Sequence, residues 1–179
     1  MKAAPFQLHQ LTFRRVSVEL NAAVLETDGL GEADKNLAFD GVLVATHVHF
    51  SPIDQPKSAG KSFLLTLRVV IDDKASAEGG APKPVPYLVD IEAGAVVRVA
   101  KGAEVLSDID DIVLVNGTSV LWSAIREQVC NLTARMPLGL ATLPTVHFQD
   151  LRKQRAEGAL PKVKQSKPRV SKPRAKSAP

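Results

Sequence analysis

Cys130 is the only cysteine in 179 residues, so no disulfide can close within the chain. Such cysteine usage fits a reducing compartment. Aromatic residues are also scarce: six Phe, with Tyr87 and Trp122 as single representatives. The core must therefore be built from Val, Leu, Ile and Ala, which the 45% hydrophobic fraction supplies. No apolar run approaches the roughly 20 residues needed to cross a bilayer. The opening "MKAAPFQLHQ" has a lysine but no apolar stretch of signal-peptide length behind it. A cytoplasmic protein is the expectation. Catalytic words are missing too: there is no G-x-S-x-G, no phosphate-binding glycine loop and no dinucleotide fingerprint. Neither enzyme activity nor a cofactor is expected.

The net charge of +4 conceals two opposite regions. Ten of the 23 basic residues lie from Leu151 onward, against the single acid Glu157. The rest keeps 13 basic and 18 acidic residues, so an acidic body carries a basic tail. The tail, 158–179, is rich in Pro, Lys and Ser and repeats "SKPR". It holds too little apolar surface to offset ordering entropy and is expected to be disordered. Lys167, Arg169, Lys172 and Arg174 in it are candidate contacts to nucleic acid or another anionic surface.

Residues 1–157 form one expected domain. "FQLHQLTFRRVSVEL" (6–20) alternates apolar and polar residues, the period of a strand, with a phase slip near Arg14 that suggests a bulge. Residues 21–38 read as a long connection. Further strands are expected over 39–52, 62–73 and 87–100, with a bulge or bend at Gly94. The period then changes. Leu121, Ile125, Val129, Leu132 and Met136 recur at helical spacing, with Asn116 as the N-cap and Pro137 as the stop. A short helix is expected between Phe148 and Glu157. Strands followed by helices predict an α+β fold: a four-stranded antiparallel sheet with helices on one face, and a Greek-key crossover through 21–38.

Three clusters could carry chemistry. His47 and His49 share one face of a strand and could hold a metal with His9, but no ligand spacing supports it, and a polar solvent face is the simpler reading. Cys130 lacks a local cation or histidine partner and reads as packing. "DIDD" (108–111) reads as a solvated approach to the helix, favoured by its dipole.

"MPLGLATLPTVHFQDL" (136–151) poses a different question. It reads as a loop, yet it is apolar and almost uncharged, whereas loops are normally polar and exposed. Either it is clamped onto the core, or Leu138, Leu140, Leu143, Val146 and Phe148 are kept for a partner.

The first strand, with Ser17–Val18–Glu19 near its end, resembles that of the SecB family of export chaperones. Residues 121–151 are similar to that family's long helix, proline-bearing loop and last helix. The shared features are Arg126–Glu127, Arg135, "LPTVHF" (143–148) and "QDL" (149–151). The likeness extends over 6–151 and its motifs are diffuse. It implies an ATP-independent chaperone that holds unfolded polypeptides, such as preproteins for export or an antitoxin, in apolar grooves. The implied groove residues are Leu25, Leu37 and Phe39 on one wall and Leu140, Leu143, Val146 and Phe148 on another. The resemblance also implies a homotetramer, a dimer of dimers with the long helix at the interface, here Leu121, Trp122, Ile125, Val129 and Leu132. Contact with the SecA translocase motor would fall to Glu19. Family members carry an acid where Arg15 stands and end in an acidic or polar tail, so this chain departs at both places.

Overall fold

The computed structural model describes residues 4–25, 39, 42–54, 60–72, 85–103, 105–106 and 108–158, except the side chains of Ala23 and Leu25. The tail beyond Gly158 and the groove candidate Leu37 lie outside the described residues. Four strands form one antiparallel sheet: β1 (Phe6–Leu20), β2 (Ala45–Pro52), β3 (Ser62–Ile71) and β4 (Tyr87–Val99), in the order β1-β4-β3-β2. Strands β2, β3 and β4 follow one another, and β1 returns beside β4, which is a Greek-key order. A single helical turn, α1 (Ala22–Leu25), follows β1. The long helix α2 (Ile109–Thr133) lies on one face of the sheet, against β4, β3 and β1, and α3 (Leu151–Ala156) packs on α2. The fold is α+β, as the order of periodicities predicts.

Alternation decides which side chains meet the helix. Phe63, Leu65, Leu67, Val69 and Ile71 of β3 are buried, as are Tyr87, Val89, Ile91, Ala93, Ala95, Val97 and Val99 of β4. Successive strand side chains point to opposite faces, so these two sets line one face. From α2 they receive Ile109, Val113, Leu121, Ile125 and Val129. Gly117 sits in the same stripe because the helix comes close there: a Cβ on it would lie 2.7 Å from Leu65 Cδ2.

That glycine explains a boundary that the sequence misplaces. The stripe Ile109–Val113–Gly117–Leu121 continues the spacing upstream, but a glycine in an apolar position looks like a break. The helix therefore begins at Ile109, with Asp108 at the N-cap position, and not after Asn116. Asn116 lies inside it and donates from Nδ2 to the Ile112 carbonyl at 3.0 Å. Strand β2 begins at Ala45 instead of 39, since Phe39 is buried with φ 53°, outside extended geometry. Strand β1 slips register twice, between His9 and Thr12 and between Phe13 and Arg15. The second slip is the one expected near Arg14. The first, where Gln10 has φ 51°, takes up the irregularity expected at Gly94, which itself pairs regularly with Thr12 and Thr66.

Candidate functional site

Residues 134–150 answer the question of the apolar loop. The chain turns at the end of α2 and runs back along the helix, pinned at successive points. Tyr87 Oη donates to the Gly139 carbonyl at 2.9 Å, and burial pushes the Tyr87 phenol pKa up. Thr133, fully buried, donates from Oγ1 to Val129 at 2.8 Å and accepts from the Ala141 amide at 2.9 Å. Further along, Trp122 Nε1 donates to the Pro144 carbonyl at 3.1 Å, and its ring meets Phe148 edge-on at 5.8 Å. These bonds satisfy polar groups inside the fold and tie the segment to α2 and β4.

The same pinning sorts the expected groove residues. Leu143 is fully buried, Phe148 and Phe39 nearly so, and all three belong to the intrachain core. They cannot line an open groove in this structure, because they lie within the core of the chain itself. Leu140 is different: it is 53% exposed, on the far side of the tight turn at Gly139 (φ 87°). Leu138, Met136 and Val146 are half-buried at the margin of the core. The apolar side chains of this segment that keep exposed surface are therefore Leu140 and, in part, Met136, Leu138 and Val146. Of the wall expected from the crossover, Leu25 has no described side chain. Nearby, buried Asn21 donates from Nδ2 to the Val85 carbonyl at 2.9 Å.

The expected interface stripe also changes place. Leu121, Ile125 and Val129 have no exposed surface and belong to the core with the sheet, and Trp122, with little, is covered by Pro144 and Phe148, so none of the four is available to another subunit. Leu132 is half-buried. Spacing shows that a helix has one apolar face; it does not show what covers that face. The outward face of α2 carries Asn116, Val120, Ser123, Glu127 and Asn131. Beside it, β1 is an edge strand of 15 residues whose Leu11, Phe13 and Val16 are exposed.

On the opposite sheet face, Asp90 is gripped by Arg68, Nε to Oδ1 at 2.7 Å and Nη2 to Oδ2 at 2.8 Å. Arg15 Nη1 adds a bond to Oδ2 at 2.8 Å. The Arg68 hydrogen bonds, with help from Arg15, hold the Asp90 carboxyl below the usual carboxylate range. Glu19 is exposed and accepts from Ser17 Oγ at 2.8 Å. His47 and His49 stand opposite Arg68 and Thr66 on β3. Among the described residues no three His, Cys, Asp or Glu side chains converge as a metal site would require. Cys130 is half-buried with Sγ 3.8 Å from Thr142 Oγ1.

Two acids of the DIDD run are partnered as well as partly exposed. Arg155 Nη2 bonds Asp110 Oδ2 at 2.8 Å, and Nη1 bonds Asp111 Oδ1 at 2.5 Å. No local pattern links residues 44 and 45 apart in sequence, so only the folded chain reveals this pair, as it does the Thr133 tie.

No helix among the described residues is long and apolar enough to cross a membrane. No protein-family model matches the chain, and no curated protein does. Two of the solved structures that align with it are distant. A protein of unknown function from Streptococcus agalactiae aligns with a TM-score of 0.48 and 12% identity, over 80% of this chain and 100% of that one. The Mycobacterium tuberculosis SecB-like chaperone Rv1957, solved in complex with a ChAD peptide from the Rv1956 HigA1 antitoxin, aligns with a TM-score of 0.42 and 15% identity, over 79% of this chain and 91% of that one.

Proposed function

We propose that the chain is a nucleotide-independent holding chaperone, which captures unfolded polypeptide on the strip formed by Met136, Leu138, Leu140 and Val146. The observation that carries this reading is the state of Leu140: a large apolar side chain half open to solvent, on a loop whose neighbours Ala141 and Leu143 are wholly buried. An apolar group left uncovered between two hydrogen-bonded neighbours, Gly139 and Ala141, is placed to meet a partner. The sequence resemblance to SecB chaperones gives the class of partner.

The energetics favour an assembly. Covering the open half of one Leu gains about 1 kcal/mol, while ordering one residue of the client backbone costs about 1–2 kcal/mol. Single contacts roughly cancel, so useful affinity requires a strip repeated across several copies of the chain. The β1 edge with Leu11, Phe13 and Val16, and the outward α2 face with Val120, are where copies meet in this reading. A long apolar edge strand left unpaired is otherwise an aggregation hazard. On the opposite sheet face, Asp90 is paired with Arg15 and Arg68 and Glu92 with Arg14, so the acids of β4 on the Glu19 face are engaged within the chain and less suited to docking on the SecA motor. Holding is thus favoured over delivery to export.

The test is capture of an unfolded model polypeptide by purified protein. Leu140→Asp is expected to weaken capture at least fivefold, from the loss of about 1 kcal/mol per site, while leaving the unfolding midpoint unchanged. Leu143→Ala is expected instead to cost about 2–5 kcal/mol of stability, as for any fully buried leucine. Equal capture by Leu140→Asp and the parent chain would remove the reading.

A second reading rests on the charge division of the sequence: a nucleic-acid-associated protein that binds through the basic tail, with the sheet serving assembly alone.

A further inference from the structure

Helix α3 is too short to stand alone, since isolated helices under about 12 residues are marginal in water. Only Leu151 of its six residues is buried. Asp150 at its N-cap position makes no side-chain cap bond. Helix α2 is the element it packs on most. Beside the buried Leu151 and an exposed Lys153–Asp150 pair, the side chain that ties it to the rest of the fold is Arg155. That guanidinium reaches Asp110 and Asp111 in the first turn of α2, and its Cζ lies 5.6 Å from the centroid of the Phe50 ring on β2. Phe50 in turn stacks on Phe63, ring centroids 4.8 Å apart. Lys61 is the other cation near the pair, with Nζ 3.7 Å from Asp110 Oδ1. By contrast, the chain just before α3 is pinned independently, through the Trp122 bonds to Pro144 and Phe148.

We propose that α3 is a detachable strap, latched by Arg155 between Asp110 and Asp111, and that its release uncovers Phe50 and the seat of Leu151. This rests on the holding function: the uncovered groups extend the apolar strip toward the N-terminal end of α2. The latch consists of ion pairs about one-third exposed, so salt screens it, while the buried contacts of Trp122 and Phe148 are insensitive to salt. Release is therefore local and does not require unfolding of the sheet.

Hydrogen exchange on the full-length protein tests the latch. The bonds from Gln154 N to Asp150 O and from Glu157 N to Lys153 O report on α3. Arg155→Ala and the double variant Asp110→Asn/Asp111→Asn are each expected to speed exchange at these amides about tenfold or more, as loss of charge-assisted bonds implies. Exchange in α2 and the sheet should not change. The parent chain in about 1 M salt, where the Debye length is about 3 Å, should approach the variants, and Arg155→Lys should fall between. Unchanged α3 exchange in the variants overturns the proposal, and so does loss of protection throughout the molecule. Capture of unfolded polypeptide should rise severalfold in Arg155→Ala. If α3 is freed and capture does not rise, the strap has no regulatory role. If the parent chain captures nothing while α3 still responds to Arg155, the holding function fails and the latch stands.

Discussion

Leu140 and Leu143 are three positions apart on an irregular segment, and composition does not distinguish them. One is a buried anchor and the other is half open. The sequence marked the whole segment as too apolar for a free connector, which is correct, but it could not say which side chains turn inward. That depends on the left-handed turn at Gly139 and the Thr133–Ala141 tie. Gly117 shows the same limit. Overpacking a core costs about 1–3 kcal/mol, and alanine in place of glycine gains about 1 kcal/mol of helix propensity. Gly117→Ala, with its Cβ 2.7 Å from Leu65 Cδ2, is therefore expected to lower stability by about 0–2 kcal/mol. Gly117→Val is expected to lower stability by about 2–3 kcal/mol. Urea unfolding of the two variants checks the contrast, and a stabilised Gly117→Val would show that the helix does not approach the sheet this closely.

Among the elements, the strands were the most legible because their period is short and their ends are marked by Pro and Gly clusters. β1 matches its expected span and β4 ends one residue early. The helix was legible as an amphipath, but its start and its partner were not. The stripe Leu121–Ile125–Val129 has the pattern of either a core face or an interface, and the sheet claims it. Register is also an element property. It brings Arg15, Arg68 and Asp90 from three adjacent strands onto one face. Because Asp90 has a depressed folded-state pKa, its contribution is fully present above the unfolded value of about 3.9. It is lost as pH falls from there through the folded value. Asp90→Asn is expected to cost about 1 kcal/mol at neutral pH and to flatten the loss of stability below pH ~4. Denaturation midpoints of parent and variant from pH 7 to pH ~2 provide the check; identical acid limbs would mean that the cluster contributes nothing.

At the scale of the whole molecule, among the described residues α2 covers one sheet face and the 15-residue β1 stands at a sheet edge. The holding function expects a solution mass that is a multiple of the 19.2 kDa chain. Removing 158–179 is expected to leave both that mass and polypeptide capture unchanged. It should abolish any polyanion binding whose affinity falls with salt at a log–log slope of about −0.9 per phosphate neutralised. Loss of capture with the tail would instead favour the nucleic-acid-associated reading.

The sequence by itself determined the fold class, the four strands in order, the existence of a long amphipathic helix and the division into an acidic body and a basic tail. Each of these is written in local period or composition, which neighbouring residues carry without help. Tertiary structure decided what the apolar residues are for: Leu143 and Phe148 inward, Leu140 open, and the helix stripe spent on its own sheet. It also decided that Arg155 finds Asp110 and Asp111. Burial and pairing between residues distant in the chain depend on which faces are brought together, and no local pattern encodes that.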